Sequence, residues 1–217
     1  MESSVSSSAV ADALDRMGLQ GVLQGFASYT THAALGTAFT VCLCDPSESS
    51  RGFSSYLEEV PSGALLVIDN AGRRGHSVFG GLMSAEAHRK GVVGAVVNGE
   101  VRDAAEAEEL GFAIFARGRT PRSGRAVARV RSTNDPVTLG DVTIKPGDTV
   151  VADADGIVVV PAGHAEEALV LARFIEAADA AVFQRVRSGV PLSVARDDKD
   201  AGTTSAVAAR GGVEGAS

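Results

Sequence analysis

The chain has 217 residues, of which 45% are hydrophobic and 22% charged, so it can form one good-sized core. Its formal net charge of −7 argues against a nucleic-acid-binding protein, which would present a basic face, and against attachment to an anionic membrane. The start of the chain lacks the basic and apolar regions of a signal peptide, and no apolar run reaches the length of about 18 residues that a membrane span needs. The two cysteines do not suggest a disulfide framework. We therefore expect a cytoplasmic protein.

The first half of the chain alternates between helical and strand-like patterns. Apolar spacing predicts a helix over residues 9–17, with serine before it and Gly18 after it. Strands are predicted over 36–44, 64–69, 92–98 and 113–116, and helices over 82–90 and 104–110, while the glycine- and arginine-rich segment 70–81 is predicted to be a loop. Strands that alternate with helices in this way indicate parallel βαβ units.

The second half reads as short strands separated by turns. Strands are predicted over 127–130, 142–144, 149–152 and 157–160, which indicates a β-rich layer packed on the α/β portion. A long helix is predicted over 165–186, and the residues from 197 onward are predicted to be disordered. The expected organisation is an N-terminal extension (1–8), one domain (9–196) and a tail (197–217).

The most informative stretch is residues 94–103, in which an apolar strand ends in a predicted glycine turn followed by Arg102 and Asp103. Ligands of open α/β sheets bind at the carboxyl ends of strands, where this pair offers one group for an anion and one for a cation. Asp103 followed by Glu106 is also a capping-box-like helix start, in which case Arg102 is a solvated surface residue. Capping and metal binding are compatible because a carboxylate has two oxygens.

A second candidate is Gly80-Gly81-Leu82-Met83, at the predicted start of a helix. Exposed N–H groups at a helix N-terminus favour an anion such as a carboxylate. No Gly-Lys-Ser/Thr follows, so this is not a P-loop. The alternative is that the glycines serve close packing.

Other kinds of chemistry find little support. The four histidines have no metal-ligand spacing, although His76 in the glycine-rich segment is kept in reserve, and there is no Gly-x-Ser-x-Gly motif. The three lysines lie outside apolar segments, which argues against imine chemistry. Cys42 and Cys44 read as small core residues of one strand.

From Ala9 to about Pro191 the chain resembles the RraA-like family, which contains metal-dependent 4-hydroxy-4-methyl-2-oxoglutarate/4-carboxy-4-hydroxy-2-oxoadipate aldolases and ribonuclease E regulators. The resemblance is carried by an ordered set of motifs: Ala-Asp-Ala-Leu-Asp at 11–15, Pro-Ser-Gly-Ala-Leu-Leu-Val-Ile-Asp at 61–69, Gly-Val-Val-Gly at 91–94, Asn-Gly-Glu-Val-Arg-Asp at 98–103, Phe-Ala-Arg-Gly at 115–118 with Thr-Pro at 120–121, Pro-Gly-Asp at 146–148, and Ala-Asp-Ala-Asp-Gly-Ile-Val-Val-Val-Pro at 152–161.

The resemblance implies a single-domain α/β/β/α sandwich that assembles as a homotrimer or homohexamer with active sites between subunits. It assigns Arg102 and Asp103 as catalytic residues, with Arg102 on the pyruvyl oxygens of the substrate and Asp103 holding Mg²⁺ or Mn²⁺. The backbone of Gly80, Gly81, Leu82 and Met83 would bind the substrate carboxylate. Two positions depart from the family pattern, since Gly81 replaces a common acidic residue and Asn98 replaces a usual Asp.

The resulting hypothesis is a metal-dependent lyase that cleaves a C–C bond of a 2-oxo acid and releases pyruvate, with oxaloacetate decarboxylation by the same enolate chemistry. Its expected partner is a small 2-oxo acid, with no nucleic acid and no membrane. Two alternatives stay open: a non-catalytic regulatory binding protein of the RraA type, and a family member recruited to another substrate, which the departures at Gly81 and Asn98 motivate.

Overall fold

The computed structural model describes residues 5–49 and 51–196. In this part of the chain the α-helices are α1 (Ser7–Arg16), α2 (Gly81–Arg89), α3 (Ala104–Glu109) and α4 (Ala165–Arg187), and residues 192–196 are also helical. The strands are β1 (Val22–Leu23), β2 (Ala27–Ser28), β3 (Ala34–Cys44), β4 (Ala64–Asp69), β5 (Ser77–Phe79), β6 (Gly94–Val101), β7 (Ala113–Arg119), β8 (Arg129–Thr133), β9 (Val137–Leu139), β10 (Val142–Ile144), β11 (Thr149–Ala152) and β12 (Ile157–Val160). Short 3₁₀ turns lie at Ser55–Glu58 and Ala162–His164.

The predicted parallel βαβ unit is confirmed. Strands β3, β4, β6 and β7 lie side by side and parallel, with α2 and α3 as the crossovers before and after β6. Every residue of β6 is buried, as expected of a strand covered on both faces. The predicted glycine turn at 98–99 is wrong, because β6 continues through Gly99 to Val101 with a shift of register against β7 after Val97. The segment 70–81 is not a loop throughout, since it contains β5, which pairs with β6.

Most of the second-half strands do not form a separate sheet. Within the described residues, β8 and β11 pair with β3, and β12 pairs with β11, so that these strands extend the same ten-stranded sheet. The strands β9 and β10 form a separate two-stranded hairpin. The short strands β1, β2 and β9 escaped the sequence analysis because two or three residues carry too little periodicity to be distinguished from loops.

The curling of the sheet creates two β layers between two helical layers. One cluster of buried residues lies under α2 and α3 and includes Leu66, Ile68 and Val97. A second lies between the parallel strands and the β11–β12 part of the sheet, with Val67 and Phe115 among its members. A third packs α1 and α4 against the outer face of β11 and β12. The three clusters share one sheet, which confirms the single-domain α/β/β/α sandwich.

The N-terminal helix is attached to the domain through Asp153, which follows β11. The Asp153 carboxylate accepts hydrogen bonds from the Ser7 backbone N–H at 2.7 Å and from the Ser7 hydroxyl at 2.5 Å. Burial by itself raises the pKa of this carboxyl group, but the hydrogen bonds from Ser7, Asp155 and Gly156 outweigh burial and lower the pKa below its usual value.

This lowered pKa predicts an acid-dependent contribution to stability. The ionised Asp153 stabilises the folded state above the unfolded-chain pKa of about 3.9, and the stabilisation is lost as the pH falls through the lower folded-state pKa. We expect Asp153→Asn to reduce the free energy of unfolding near pH 7 and to have a much smaller effect near pH 2.5. Urea unfolding of both proteins at the two pH values measures this, and an equal difference at both would contradict the assignment.

The remaining expectations concern the cysteines, the membrane and the tail. Both thiols are free, with Cys44 buried and Cys42 half-buried. Burial and the nearby Asp69 carboxylate raise the pKa of Cys42, which keeps that thiol protonated and fits a structural role. No helix among the described residues is long and apolar enough to cross a bilayer. The tail predicted to be disordered, 197–217, lies outside the described residues.

Candidate active site

A cavity of about 500 Å³ opens at the carboxyl ends of the parallel strands. It lies among the segment after β3, the junction of β5 and α2, the residue after β6 and the segment between β7 and β8. Clefts in this position are where open α/β sheets bind ligands. The lining residues are Gly52, Phe53, Ser54, Ser77, Phe79, Gly80, Gly81, Leu82, Met83, Arg102, Ser123, Arg125 and Arg129.

The structure brings most of the predicted site residues together in this cavity. All four residues from Gly80 to Met83 line it, and so does Arg102, although 19 positions separate Met83 from Arg102. The backbone N–H of Arg102 donates to the carbonyl of Phe79 at 3.0 Å, which holds the segment after β6 against the segment after β5. The Arg102 side chain is 36% exposed, so its guanidinium can reach a ligand.

Asp103 lies beside the cavity, and its carboxylate does not cap its own helix. Its backbone is left-handed (φ 56°, ψ 40°), and its side chain makes no capping hydrogen bond to α3, so the capping-box interpretation is wrong. Asp103 Oδ2 instead accepts a hydrogen bond from the N–H of Gly81 at 3.1 Å and lies 3.1 Å from Arg102 Nε. A non-glycine residue in this conformation is uncommon, and aspartate is one of the residue types that adopt it most readily.

The Gly80-Gly81 pair packs closely against Arg102 and Asp103. A Cβ atom on Gly80 would lie 2.9 Å from both Arg102 Cγ and Asp103 Oδ2, closer than such contacts allow. A Cβ on Gly81 would lie 3.2 Å from Asp103 Cβ, a tight contact that a shift of a few tenths of an ångström would relieve. The alternative that these glycines serve close packing is therefore supported, because neighbouring atoms crowd the space that a Cβ atom would occupy. Close packing on that side is compatible with a ligand bound to the backbone of the same glycines.

The first N–H groups of α2 differ in what they bind. The N–H of Gly81 donates to Asp103, and that of Met83 donates to the Gly80 carbonyl at 3.0 Å. Within the described part of the chain no acceptor bonds the N–H of Leu82. A helix N-terminus carries partial positive charge, and an unpaired N–H facing a cavity is a donor for an anionic ligand.

Sequence analysis missed several lining residues. The side chains of Ser54, Ser77 and Ser123 add hydroxyl groups, and Arg125 and Arg129 add two guanidiniums to that of Arg102. None of the described residues that line the cavity carries a carboxylate. The available signal was the arginine density of the segment 117–131, which holds six arginines in a chain of net charge −7. The number of arginines in this segment, however, does not indicate which of the six line the cavity.

The donor set near Asp103 fits only a weakly coordinated cation. No group of three or more His, Cys, Asp or Glu side chains close enough to hold a metal occurs within residues 5–49 and 51–196. Mg²⁺ is commonly bound through one or two carboxylates and keeps several waters, so the Asp103 carboxylate fits a site completed by water. His76 does not line the cavity.

The second departure, Asn98, has a local structural reason. Its Nδ2 donates to Asp69 Oδ1 at 2.7 Å, and its Oδ1 accepts from Arg117 Nε at 3.0 Å. An aspartate here would place a second carboxylate against Asp69, and like charges at that distance repel. None of these three residues lines the cavity, so this departure does not alter the lining directly.

A curled sheet between two helical layers, with a cavity lined by arginines, serines and a helix N-terminus at the carboxyl ends of its strands, defines an α/β/β/α protein with a cationic cavity. The model of the RraA-like family, described as Aldolase/RraA, matches residues 7–159, and the chain belongs to this family. The resemblance found in the sequence motifs is thereby confirmed.

Individual relatives agree with this assignment. An uncharacterized protein of Pseudomonas syringae pv. tomato has a similar structure, with a TM-score of 0.82 and 32% identity over 88% of this chain and 92% of that one. RraAS2 of Streptomyces coelicolor, described as an unusual member of the RNase ES inhibitor RraA family, has a TM-score of 0.71 and 32% identity over 83% of this chain and 91% of that one.

A curated relative carries an enzyme name. The Halalkalibacterium halodurans protein named "Putative 4-hydroxy-4-methyl-2-oxoglutarate aldolase" is 34% identical over 61% of this chain and 62% of its own length. The chain spans less than two thirds of the length of the first curated relatives it matches.

Proposed function

We propose that this protein is a divalent-metal-dependent lyase that cleaves a C–C bond of a 2-oxo acid and releases pyruvate. The observation that carries the proposal is the meeting of Arg102 and the N-terminus of α2 in one cavity, with the Asp103 carboxylate at its edge. The similarity to a relative with an aldolase name supports the same class of reaction.

Arg102 and the α2 backbone have separate tasks in this proposal. The carboxylate of the 2-oxo acid binds at the start of α2, where the Leu82 N–H is available and the helix dipole favours an anion. Arg102 then faces the 2-oxo oxygen, where negative charge develops as the C–C bond breaks and an enolate forms. A positioned cation at that point stabilises the transition state more than the ground state.

Asp103 would hold the cation. One carboxylate oxygen already accepts the Gly81 N–H and faces Arg102, which leaves the other to bind Mg²⁺ or Mn²⁺ together with water. When bound, the cation supplies Lewis-acid stabilisation of the negative charge on the 2-oxo acid. The left-handed backbone of Asp103 keeps its carboxylate at the cavity edge rather than over α3.

Oxaloacetate decarboxylation belongs to the same proposal. Loss of CO₂ from oxaloacetate and loss of a carbonyl fragment from a 4-hydroxy-2-oxo acid leave the same pyruvate enolate. The groups that stabilise this enolate therefore serve both reactions. We also propose a homotrimer or homohexamer with its active sites between subunits, which size-exclusion chromatography with light scattering can test.

The test is pyruvate release from oxaloacetate and from 4-hydroxy-4-methyl-2-oxoglutarate, with Mg²⁺ or Mn²⁺ and again with EDTA. We expect release with the metal and its loss with EDTA, and restoration when metal is added in excess. Because oxaloacetate also decarboxylates without enzyme in the presence of divalent cations, each rate is compared with metal alone. No release above that background with either metal would contradict the proposal.

The alternative is a regulatory binding protein without catalytic activity. It is favoured by the similarity to RraAS2, which is described as a member of an RNase inhibitor family. Such a protein would need neither a metal nor Arg102 and Asp103. A stoichiometric protein partner recovered in a pull-down, retained by an Arg102→Ala variant, together with no metal-dependent turnover, would favour this alternative.

A further inference from the structure

Arg125 and Arg129 line the same cavity as Arg102 but have no role in the reaction as proposed above. We infer that these two arginines form a second anion subsite, which binds a carboxylate at the far end of the substrate from the 2-oxo group. The inference deepens the proposed function, because it assigns the residues that select a substrate carrying negative charge at both ends.

No described carboxylate forms an ion pair with either of the two arginines. Among the described residues, Arg51, Arg73 and Arg131 each form an ion pair with a carboxylate, to Glu59, Asp45 and Glu48 in turn. Neither Arg125 nor Arg129 has such a partner in that part of the chain. Two guanidiniums without a described ion-pair partner, in a cavity with no acidic residue among its described lining, attract an anion, which arginine can bind through two parallel hydrogen bonds.

The backbone holds these arginines in place at the cavity. The segment before Arg125 docks on β5, since the Ser77 N–H donates to the Arg122 carbonyl and the Gly124 N–H donates to the Ser77 carbonyl, both at 2.8 Å. A Cβ on Gly124 would lie 2.5 Å from that Ser77 oxygen, so the docking requires glycine. Arg129 Nη1 then donates to the carbonyls of Arg125 and Ala128 at 2.9 and 2.8 Å, which closes the turn.

The size and the apolar wall of the cavity fit a chain between two charged ends. A volume of about 500 Å³ exceeds what a three-carbon acid such as pyruvate needs. Phe53, Phe79 and Met83 also line the cavity, and they can contact the methylene or methyl groups that separate two carboxylates. The lining thus provides anion-binding groups from separate chain segments together with apolar surface for the carbons between them.

Direct binding tests the subsite without relying on turnover. The probes are 2-oxoglutarate and 2-oxopentanoate, which share a five-carbon chain and a 2-oxo acid group and differ in a terminal carboxylate against a methyl group. We expect calorimetry with Mg²⁺ present to show that the wild-type protein binds 2-oxoglutarate about tenfold to a hundredfold more tightly. Arg125→Gln and Arg129→Gln should each reduce this ratio severalfold while changing 2-oxopentanoate binding little.

Arg122→Gln is the matched control, since it removes one positive charge from the same segment at a residue that does not line the cavity. The side chain of Arg125 donates no hydrogen bond to a described residue, so we expect its replacement to change ligand affinity without changing the structure of the loop. The melting temperatures of all variants show whether they fold. Equal affinity of the wild type for both probes, binding of neither, or an equal effect of Arg122→Gln would overturn the inference. Selective binding without any pyruvate release would instead uphold the subsite and contradict the lyase.

Discussion

Replacing Arg102 by alanine is expected to lower kcat/KM for pyruvate release by about a hundredfold to a thousandfold, the effect of removing one group that stabilises a developing oxyanion. The guanidinium is the cationic group of the cavity that lies beside both the α2 N-terminus and Asp103. Steady-state assays with oxaloacetate in Mg²⁺ measure the loss.

Two further variants separate geometry from charge at this position. Arg102→Lys retains a positive charge but not the planar donor fork, so we expect only partial activity. Arg89→Ala serves as the control, because Arg89 lies at the other end of α2 and pairs with Glu86 on the surface. Wild-type activity in Arg102→Ala would exclude Arg102 from catalysis.

The second large effect is expected at Asp103. Asparagine tolerates the left-handed backbone and retains an oxygen that can accept the Gly81 N–H, so Asp103→Asn removes the negative charge with little change of structure. We expect this variant to melt within a few degrees of the wild type and to lose metal-dependent pyruvate release by about a hundredfold or more.

The comparison with Asp103→Ala makes the result interpretable. Alanine loses both the charge and the acceptor, and a left-handed alanine is strained by roughly 1 kcal/mol or more, so this variant should be less stable than Asp103→Asn. Mn²⁺ binding, followed by electron paramagnetic resonance, should weaken in both variants. Full activity of Asp103→Asn would show that the carboxylate charge is not required and would remove the basis for placing the cation there.

The elements with long or regular patterns were predictable from the sequence. The apolar run of β4, predicted over 64–69, is observed as Ala64–Asp69, and the helix predicted over 165–186 is observed as Ala165–Arg187. The strand β6 was predicted to end at the Asn-Gly dipeptide, a common turn signal. It continues because β5 and β7 pair with it on either side beyond that point, and these pairings involve distant residues.

The candidate site was likewise predictable from the sequence only in part. The glycine pair and the Arg-Asp pair were recognisable as separate motifs, but the contact of Asp103 with Gly81 depends on the left-handed backbone of Asp103 and on the absence of a side chain at Gly80. Local spacing favoured a capping box with Glu106 equally well. The arginines of 117–131 were visible as a cluster, and only the docking of Gly124 on Ser77 distinguishes those that face the cavity.

The sequence by itself determined the class of fold, the family and the residues that could take part in binding or catalysis. It did so because hydrophobic periodicity and ordered motifs are local properties of the chain. The tertiary structure alone decided how the sheet curls, so that β11 and β12 cover the inner face of the parallel strands. It alone decided which charged groups share one cavity. Those outcomes depend on strand pairing and packing between residues far apart in the chain, whose free energies no local pattern contains.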